Sequence, residues 1–221
     1  MPRASIAPDL LSGLPVGLAV EPIGEGAVVL RGFAALQAGD LLREVEQIAT
    51  AAPFRHLVTP GGYTMSVAMT NCGELGWVSD RGGYRYQPVD PLSGTAWPAM
   101  SITFQRLAAE AGERAGYLDF APDACLINRY EPGARLSLHQ DRDERDQRQP
   151  IVSVSLGLPA IFLFGGNRRN DRPRRIRLDH GDVVVWGGPT RLAYHGVEAL
   201  NDAEHPVTGR CRINLTFRKA R

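Results

Sequence analysis

The residues with the clearest chemical potential are His139, Gln140 and Asp141. On an extended backbone, side chains two positions apart point to the same side, so His139 and Asp141 can converge on one metal ion. A neutral imidazole and a carboxylate suit divalent iron or its neighbours. The same triplet also describes a solvated turn, so the chemistry requires a third ligand from elsewhere. His195, 56 residues downstream, is the natural candidate. Of the other histidines, His56 and His205 lie in polar, loop-like sequence, and His180 adjoins the Gly181-Asp182 turn.

Two histidines and one carboxylate make the facial triad of non-haem iron oxygenases, which leaves positions open for a cosubstrate and oxygen. The end of the chain strengthens that reading. In the run 212–218, period two places Arg212, Asn214, Thr216 and Arg218 on one face and Ile213, Leu215 and Phe217 on the other. Such a strand can be amphipathic with a wet face. Two guanidinium forks and an amide in a row can equally grip a small dicarboxylate at both ends. Asn128 and Tyr130 share a face in the same way within 124–130.

These residues need a scaffold, and the sequence supplies one. Leu41, Leu42, Val45 and Ile48 recur at helical spacing after Asp40, a candidate N-cap. A second helical pattern runs over 98–113 through Met100, Phe104, Leu107 and Ala111, stopping near Gly116. From 123 onward the texture is short strands: 124–130, 151–158, 160–164, 175–178, 182–186, 191–197 and 211–218. Turn residues separate them at Pro132-Gly133, Gly165-Gly166, Gly181-Asp182 and Gly187-Gly188-Pro189. Strands preceded by helices predict a mainly β protein, a sandwich or jelly roll with helical support on one face. Residues 1–25, rich in glycine and proline, are expected to form an irregular arm, and 26–221 a single domain.

Composition narrows the function classes. The chain has 221 residues, 43% hydrophobic and 22% charged, enough for one well-packed domain. With 25 cationic residues against 24 acidic ones, it does not coat nucleic acid by charge alone. Among those cations only Lys219 is lysine. Codon bias accounts for most of that skew, while some arginines can make forked contacts to carboxylate or phosphate. Cys72, Cys125 and Cys211 are too few and scattered for a disulfide framework, and an odd thiol count suits a cytoplasmic protein. Pro8, Asp9, Gly13 and Pro15 interrupt any signal-peptide core, and no apolar run approaches the ~18 residues of a membrane helix. A monomer without membrane attachment is expected.

Longer motifs carry a resemblance to a known family. They are Pro53-Phe54-Arg55, the run Val-Thr-Pro-Gly-Gly-Tyr-Thr-Met-Ser-Val-Ala-Met-Thr-Asn-Cys-Gly at 58–73, and Asp-Ala-Cys-Leu-Ile-Asn-Arg-Tyr at 123–130. Leu-Ser-Leu-His-Gln-Asp at 136–141, Ile-Val-Ser-Val-Ser-Leu-Gly-Leu-Pro-Ala-Ile-Phe at 151–162 and His-Gly-Asp-Val-Val-Val-Trp-Gly-Gly at 180–188 extend it. From 27 to 218 the sequence resembles the AlkB-type iron(II)/2-oxoglutarate dioxygenases that repair alkylated nucleic acid. The resemblance implies a double-stranded β-helix core over 123–218, preceded by helices and by a nucleotide-recognition lid over 58–90.

It further implies that His139, Asp141 and His195 ligate Fe(II). Asn128, Tyr130, Arg212, Asn214 and Arg218 then contact 2-oxoglutarate, the two arginines holding its carboxylates. On the substrate side, Trp77 would stack on a flipped base, Tyr84 would contact backbone phosphate, and Asp143 would face the exocyclic amine. Met65, Met69 and Arg169 complete the implied substrate contacts. Met65 and Met69 can also be an ordinary apolar layer beneath a loop. An aromatic face and a carboxylate favour a cationic base such as N1-methyladenine or N3-methylcytosine over its neutral parent. Apart from the implied ligand Asp141 and from Asp143, most of the charged run 141–146 is expected to be a solvated turn. The segment 168–177 holds six arginines against one acid. It is either a solvated hairpin or a phosphate-tracking patch in which Arg172, Arg174 and Arg175 have no assigned roles.

The implied reaction is oxidative demethylation of alkylated bases in single- or double-stranded DNA, with RNA left open. Oxygen and 2-oxoglutarate are consumed, and formaldehyde, succinate and carbon dioxide released. An iron/2-oxoglutarate hydroxylase acting on a protein or small molecule is the alternative. A non-catalytic jelly-roll module that binds nucleic acid is a third.

Overall fold

The computed structural model describes residues 19–221, so most of the expected N-terminal arm lies outside the described residues. Fourteen strands and two helices are present among them. The strands are β1 (Val20–Gly24), β2 (Ala27–Leu30), β3 (Arg55–Val58), β4 (Thr64–Gly73), β5 (Gly76–Asp80), β6 (Gly83–Gln87) and β7 (Ala124–Tyr130). They continue as β8 (Leu136–His139), β9 (Ile151–Gly157), β10 (Ala160–Phe164), β11 (Arg174–Leu178), β12 (Val183–Trp186), β13 (His195–Val197) and β14 (Arg212–Arg218). The helices are α1 (Ala38–Ala51) and α2 (Ile102–Arg114).

An eight-stranded sheet has the order β1-β2-β12-β9-β14-β7-β4-β3, and a four-stranded one the order β11-β10-β13-β8. Alternation along β14 decides how these layers stack. Ile213, Leu215 and Phe217 join one core with Leu41, Val45 and Ile48 of α1 and Phe104, Leu107 and Ala111 of α2. The helices therefore cover the outer face of the large sheet. The opposite face looks into a second core, where Val184 and Trp186 pack with Phe162, Phe164 and Ile176 of the small sheet. The polar residues of β14 open into this inter-sheet space. All seven residues of the strand are buried, so its polar face is not wet. This is the jelly-roll arrangement with helical support that the sequence predicts.

Several boundaries differ from expectation for local reasons. Residues 20–24 form an edge strand paired with β2, where an irregular arm was expected. Pro22 is tolerated there because an edge strand leaves one side of its backbone unpaired. A 3-10 turn over Ala35–Gln37 runs directly into α1, so Gln37 takes the cap position. Asp40 lies in the first turn, where it pairs with Arg43 and its charge suits the helix dipole. The second helix begins at Ile102, four residues after Pro98, because Ser101 supplies the cap: its Oγ accepts from Phe104 N at 3.1 Å. Only His195–Val197 of the segment 191–197 is extended, since Arg191 closes the preceding 3-10 turn with its N–H on Gly188 O.

The segment 58–90 divides into two parts. Strand β4 belongs to the large sheet, registered on β7 with Met69 opposite Asn128. Strands β5 and β6 form a separate hairpin. His56, expected in a loop, sits on β3 with its Nδ1 2.8 Å from Met65 O.

Phe217 is fully buried and meets Phe104 edge-on at 5.7 Å. Phe217→Ala removes the contact that ties α2 to the strand carrying both arginines. The expected loss is about 3–5 kcal/mol of unfolding free energy. Urea denaturation of the purified variant measures it.

Candidate metal and cosubstrate site

The two histidines are cross-strand neighbours. His139 ends β8, His195 begins β13, and they are direct partners in the ladder with ring centroids 4.4 Å apart. Gly196 makes this close pairing possible, because a Cβ there would lie 2.6 Å from Leu136 O. Asp141 lies just past the end of β8 and completes the set. One ligand atom from each of His139, Asp141 and His195 lies within 4.8 Å of the others.

Tautomers favour ligation. His139 Nδ1 donates to Ser137 O and His195 Nδ1 to Ala193 O, each at 2.9 Å. The Nε2 lone pairs are therefore free, and they lie 3.6 Å and 3.8 Å from the Asp141 carboxylate oxygens. Burial, reinforced by His139, lowers the His195 pKa to about 4, so its imidazole is neutral at pH 7. Burial alone would raise the Asp141 pKa. The Arg218 guanidinium, with His195 and His139, outweighs it and holds the carboxyl well below its usual range. Two imidazoles with free Nε2 atoms and an ionised carboxylate are the donor set that divalent iron accepts.

The neighbouring face of β14 is unevenly satisfied. Arg218 donates from Nη2 and Nε to Asp141 Oδ2 at 2.6 and 2.9 Å. Arg212 is 1% exposed, with Nη2 bonded to Ser155 Oγ at 2.9 Å and its guanidinium 4.9 Å from the Tyr130 ring centroid. Its Nε and Nη1, and Asn128 Oδ1, have no partner among the described residues. Burial lowers the Arg212 pKa, partly countered by Tyr130. Asn214 is held by Ser153 Oγ and Val154 O at 2.8 and 2.9 Å. A buried guanidinium with two unused nitrogens, on the same face of β14 as the Arg218 that holds Asp141, is a fit for a carboxylate, as a dicarboxylic cosubstrate requires.

The expected substrate residues gather unevenly. Trp77 and Tyr84 stack at 5.4 Å and 14°, and Trp77 Nε1 donates to Asp143 Oδ2 at 2.9 Å. Asn71 fixes this hairpin to β4 by bonding both the N–H and the carbonyl of Trp77 at 3.0 Å. Met69 is buried in the inter-sheet core and Met65 packs against it. Arg169 is exposed, 5.9 Å from the Tyr194 ring centroid. Arg174 donates to Ile23 O, Arg175 pairs with Glu198 and Arg177 with Asp179. Arg168, Arg169 and Arg172 carry no ion pair among the described residues.

Sequence reasoning missed Glu144. It sits inside the charged run expected to be solvated, yet it is buried. Its carboxylate takes the Tyr86 hydroxyl at 2.6 Å and Arg191 Nη2 at 3.0 Å, and lies 3.5 Å from Arg218 Nε. Composition hides it, because alternating charges read as a wet turn; only the buried partners on remote strands reveal it.

The model of the 2OG-Fe(II) oxygenase superfamily matches residues 26–218. The chain is 62% identical over 200 residues to the alpha-ketoglutarate-dependent dioxygenase AlkB of Escherichia coli K12, covering 90% of this chain and 93% of that protein. The chain belongs to the AlkB family. A Caulobacter vibrioides AlkB homologue is 48% identical over 174 residues, covering 78% of this chain and 77% of the relative. The solved structure of OsALKBH1 superposes with a TM-score of 0.79 at 27% identity, covering 91% of this chain and all of that one. The protein is thus an Fe(II)/2-oxoglutarate-dependent dioxygenase. No helix among its described residues is long and apolar enough to cross a membrane.

Arg212 and Arg218 respond differently to truncation. Arg212→Met removes a poorly paired buried charge, so the metal-free protein keeps or gains melting temperature while 2-oxoglutarate affinity falls by at least about 2 kcal/mol. Arg218→Met leaves Asp141 buried without its partner and costs about 3–5 kcal/mol of stability. Thermal melts paired with calorimetric 2-oxoglutarate titration separate the two.

Proposed function

We propose that this dioxygenase removes methyl groups oxidatively from alkylated bases in nucleic acid. His139, Asp141 and His195 hold the iron; Arg212, with Asn128, Tyr130 and Asn214 around it, receives one carboxylate of 2-oxoglutarate, and Arg218 steadies the other beside Asp141. When bound, iron and 2-oxoglutarate supply the oxygen-activating chemistry, with succinate and carbon dioxide as products. The chain's own residues position the methyl group and exclude water.

The observation that carries the substrate assignment is the Trp77–Tyr84 stack joined through the indole N–H to Asp143, two residues from a metal ligand. A stacked aromatic pair offers a flat surface to an unstacked base, and the adjacent carboxylate favours a cationic one. N1-methyladenine and N3-methylcytosine have that charge; their unmethylated parents do not. Hydroxylation of the N-methyl group yields a hydroxymethyl base that releases formaldehyde. The exposed Arg168, Arg169 and Arg172 suit phosphate contacts flanking the base. Flipping a base from a duplex costs a few kcal/mol, so single strands serve well as substrates.

Relatives matching smaller parts of the chain support a nucleic-acid substrate. One is a tRNA demethylase of Schizosaccharomyces pombe, 35% identical over 121 residues. Another is a DNA N(6)-methyladenine demethylase of Arabidopsis thaliana, 40% identical over 111 residues. A protein or small-molecule substrate would leave the aromatic pair and Asp143 without a role.

Purified, iron-loaded protein given an oligonucleotide with one N1-methyladenine releases formaldehyde in step with succinate, and release stops without 2-oxoglutarate. Asp143→Ala lowers kcat/KM by about 10–100-fold on cationic lesions, the loss of one close charge contact. Unchanged succinate formation on adding methylated DNA or RNA would refute the reading.

A further inference from the structure

Residues 140–150 carry Asp141, Asp143 and Glu144, yet contain neither helix nor strand. A loop that must present a metal ligand to a fraction of an ångström needs an external brace. Arg191 provides one. Its side chain is 4% exposed, and all three guanidinium nitrogens reach this loop. Nη1 donates to the carbonyl of Asp141 at 2.7 Å, Nη2 to Glu144 Oε2 at 3.0 Å, and Nε to Gln149 O at 2.9 Å. The three acceptors lie at the start, middle and end of the loop.

Arg191 also belongs to the other ligand-bearing segment. It closes the 3-10 turn over Gly188–Thr190. Two residues later, Ala193 O accepts the His195 Nδ1 proton at 2.9 Å. Between them, Leu192 O accepts from Gln140 Nε2 at 2.6 Å. The same short stretch therefore orients one ligand through its backbone and another through its side chain. Among the described residues no ladder pairing reaches Asp141 itself; Arg218 holds its carboxylate, and this brace ties its backbone to the segment that carries His195. We infer that Arg191 is a positioning residue for the metal centre, fixing Asp141 relative to His195 through a three-point clamp on the loop 141–149. Tyr86 extends the brace to the β5–β6 hairpin through its 2.6 Å bond to Glu144.

The clamp needs a planar fork with separate donors, so lysine cannot replace it. The inference rests on His139, Asp141 and His195 being the iron ligands. The test is anaerobic titration of wild type, Arg191→Met and Arg191→Lys with Fe(II) in the presence of 2-oxoglutarate, well below the melting transition. The readout is the charge-transfer absorption of the ternary complex. Both variants are expected to bind Fe(II) about 10–100-fold more weakly, the usual effect of losing a ligand's supporting contact. Their ratio of succinate to formaldehyde is expected to rise, because a misplaced site consumes cosubstrate without reaching the methyl group.

A purely structural arginine would lower the melting temperature while the folded protein kept wild-type iron affinity and stoichiometry, and that result overturns the inference. Should neither Arg191 variant fold, Glu144→Gln removes one arm of the clamp while keeping shape and the Tyr86 contact. Weaker Fe(II) binding there supports the inference, and unchanged binding overturns it. A wild-type protein that holds no iron overturns the ligand assignment itself.

Discussion

The ion pair between Arg218 and Asp141 joins the two halves of this enzyme. Arg218 stands at the end of β14, deep in the large sheet, whereas Asp141 follows β8 of the small sheet. Each would be costly to bury alone. Together they bring Asp141, part of the His139–Asp141–His195 cluster, against the polar face of β14, so the fold closes at the candidate site. Burial depresses the Arg218 pKa, yet Asp141 and the surrounding acids outweigh it and raise the net value, keeping the guanidinium charged.

The neighbouring arginine shows the opposite economy. Arg212 is buried like Arg218, but two of its nitrogens lack partners among the described residues. A core selected for stability alone would place a hydrophobe there. Keeping a guanidinium with no ion pair among the described residues in the inter-sheet space suits the proposed role of Arg212 as a carboxylate site, at the expense of the empty protein. Ser155 and the Tyr130 ring supply enough contact to hold the fork without consuming it. The same contrast separates Glu144, fully engaged by Tyr86 and Arg191, from the exposed Asp143, whose partner is the half-buried Trp77 of the β5–β6 hairpin.

Charge at the level of composition is a poor guide to such a molecule. The near-neutral total averages an acidic loop around the metal ligands with a basic segment at 168–177. Half of that segment's arginines are tied down by Ile23 O, Glu198 and Asp179, leaving Arg168, Arg169 and Arg172 for other contacts. Local satisfaction, rather than the count, separates structural arginines from those left to meet a ligand.

Sequence alone determined what depends on period and residue type. The two faces of β14, the shared face of Asn128 and Tyr130, and the helical stripe of α1 follow from alternation every two residues or recurrence near every 3.6. His139 and Asp141 were legible as candidates from their spacing and His195 as a candidate third ligand, while the full set came from the family resemblance. Tertiary structure decided what depends on partners remote in the chain. Edge strand β1 was masked by Pro22, and β4 joined the large sheet through pairing with β7. Glu144 and Arg191 became a buried brace only where the loop folds back against the turn before β13 and the β5–β6 hairpin. A side chain's charge is written in the sequence, but whether water, a ligand or another buried charge answers it depends on which distant segments the fold brings beside it.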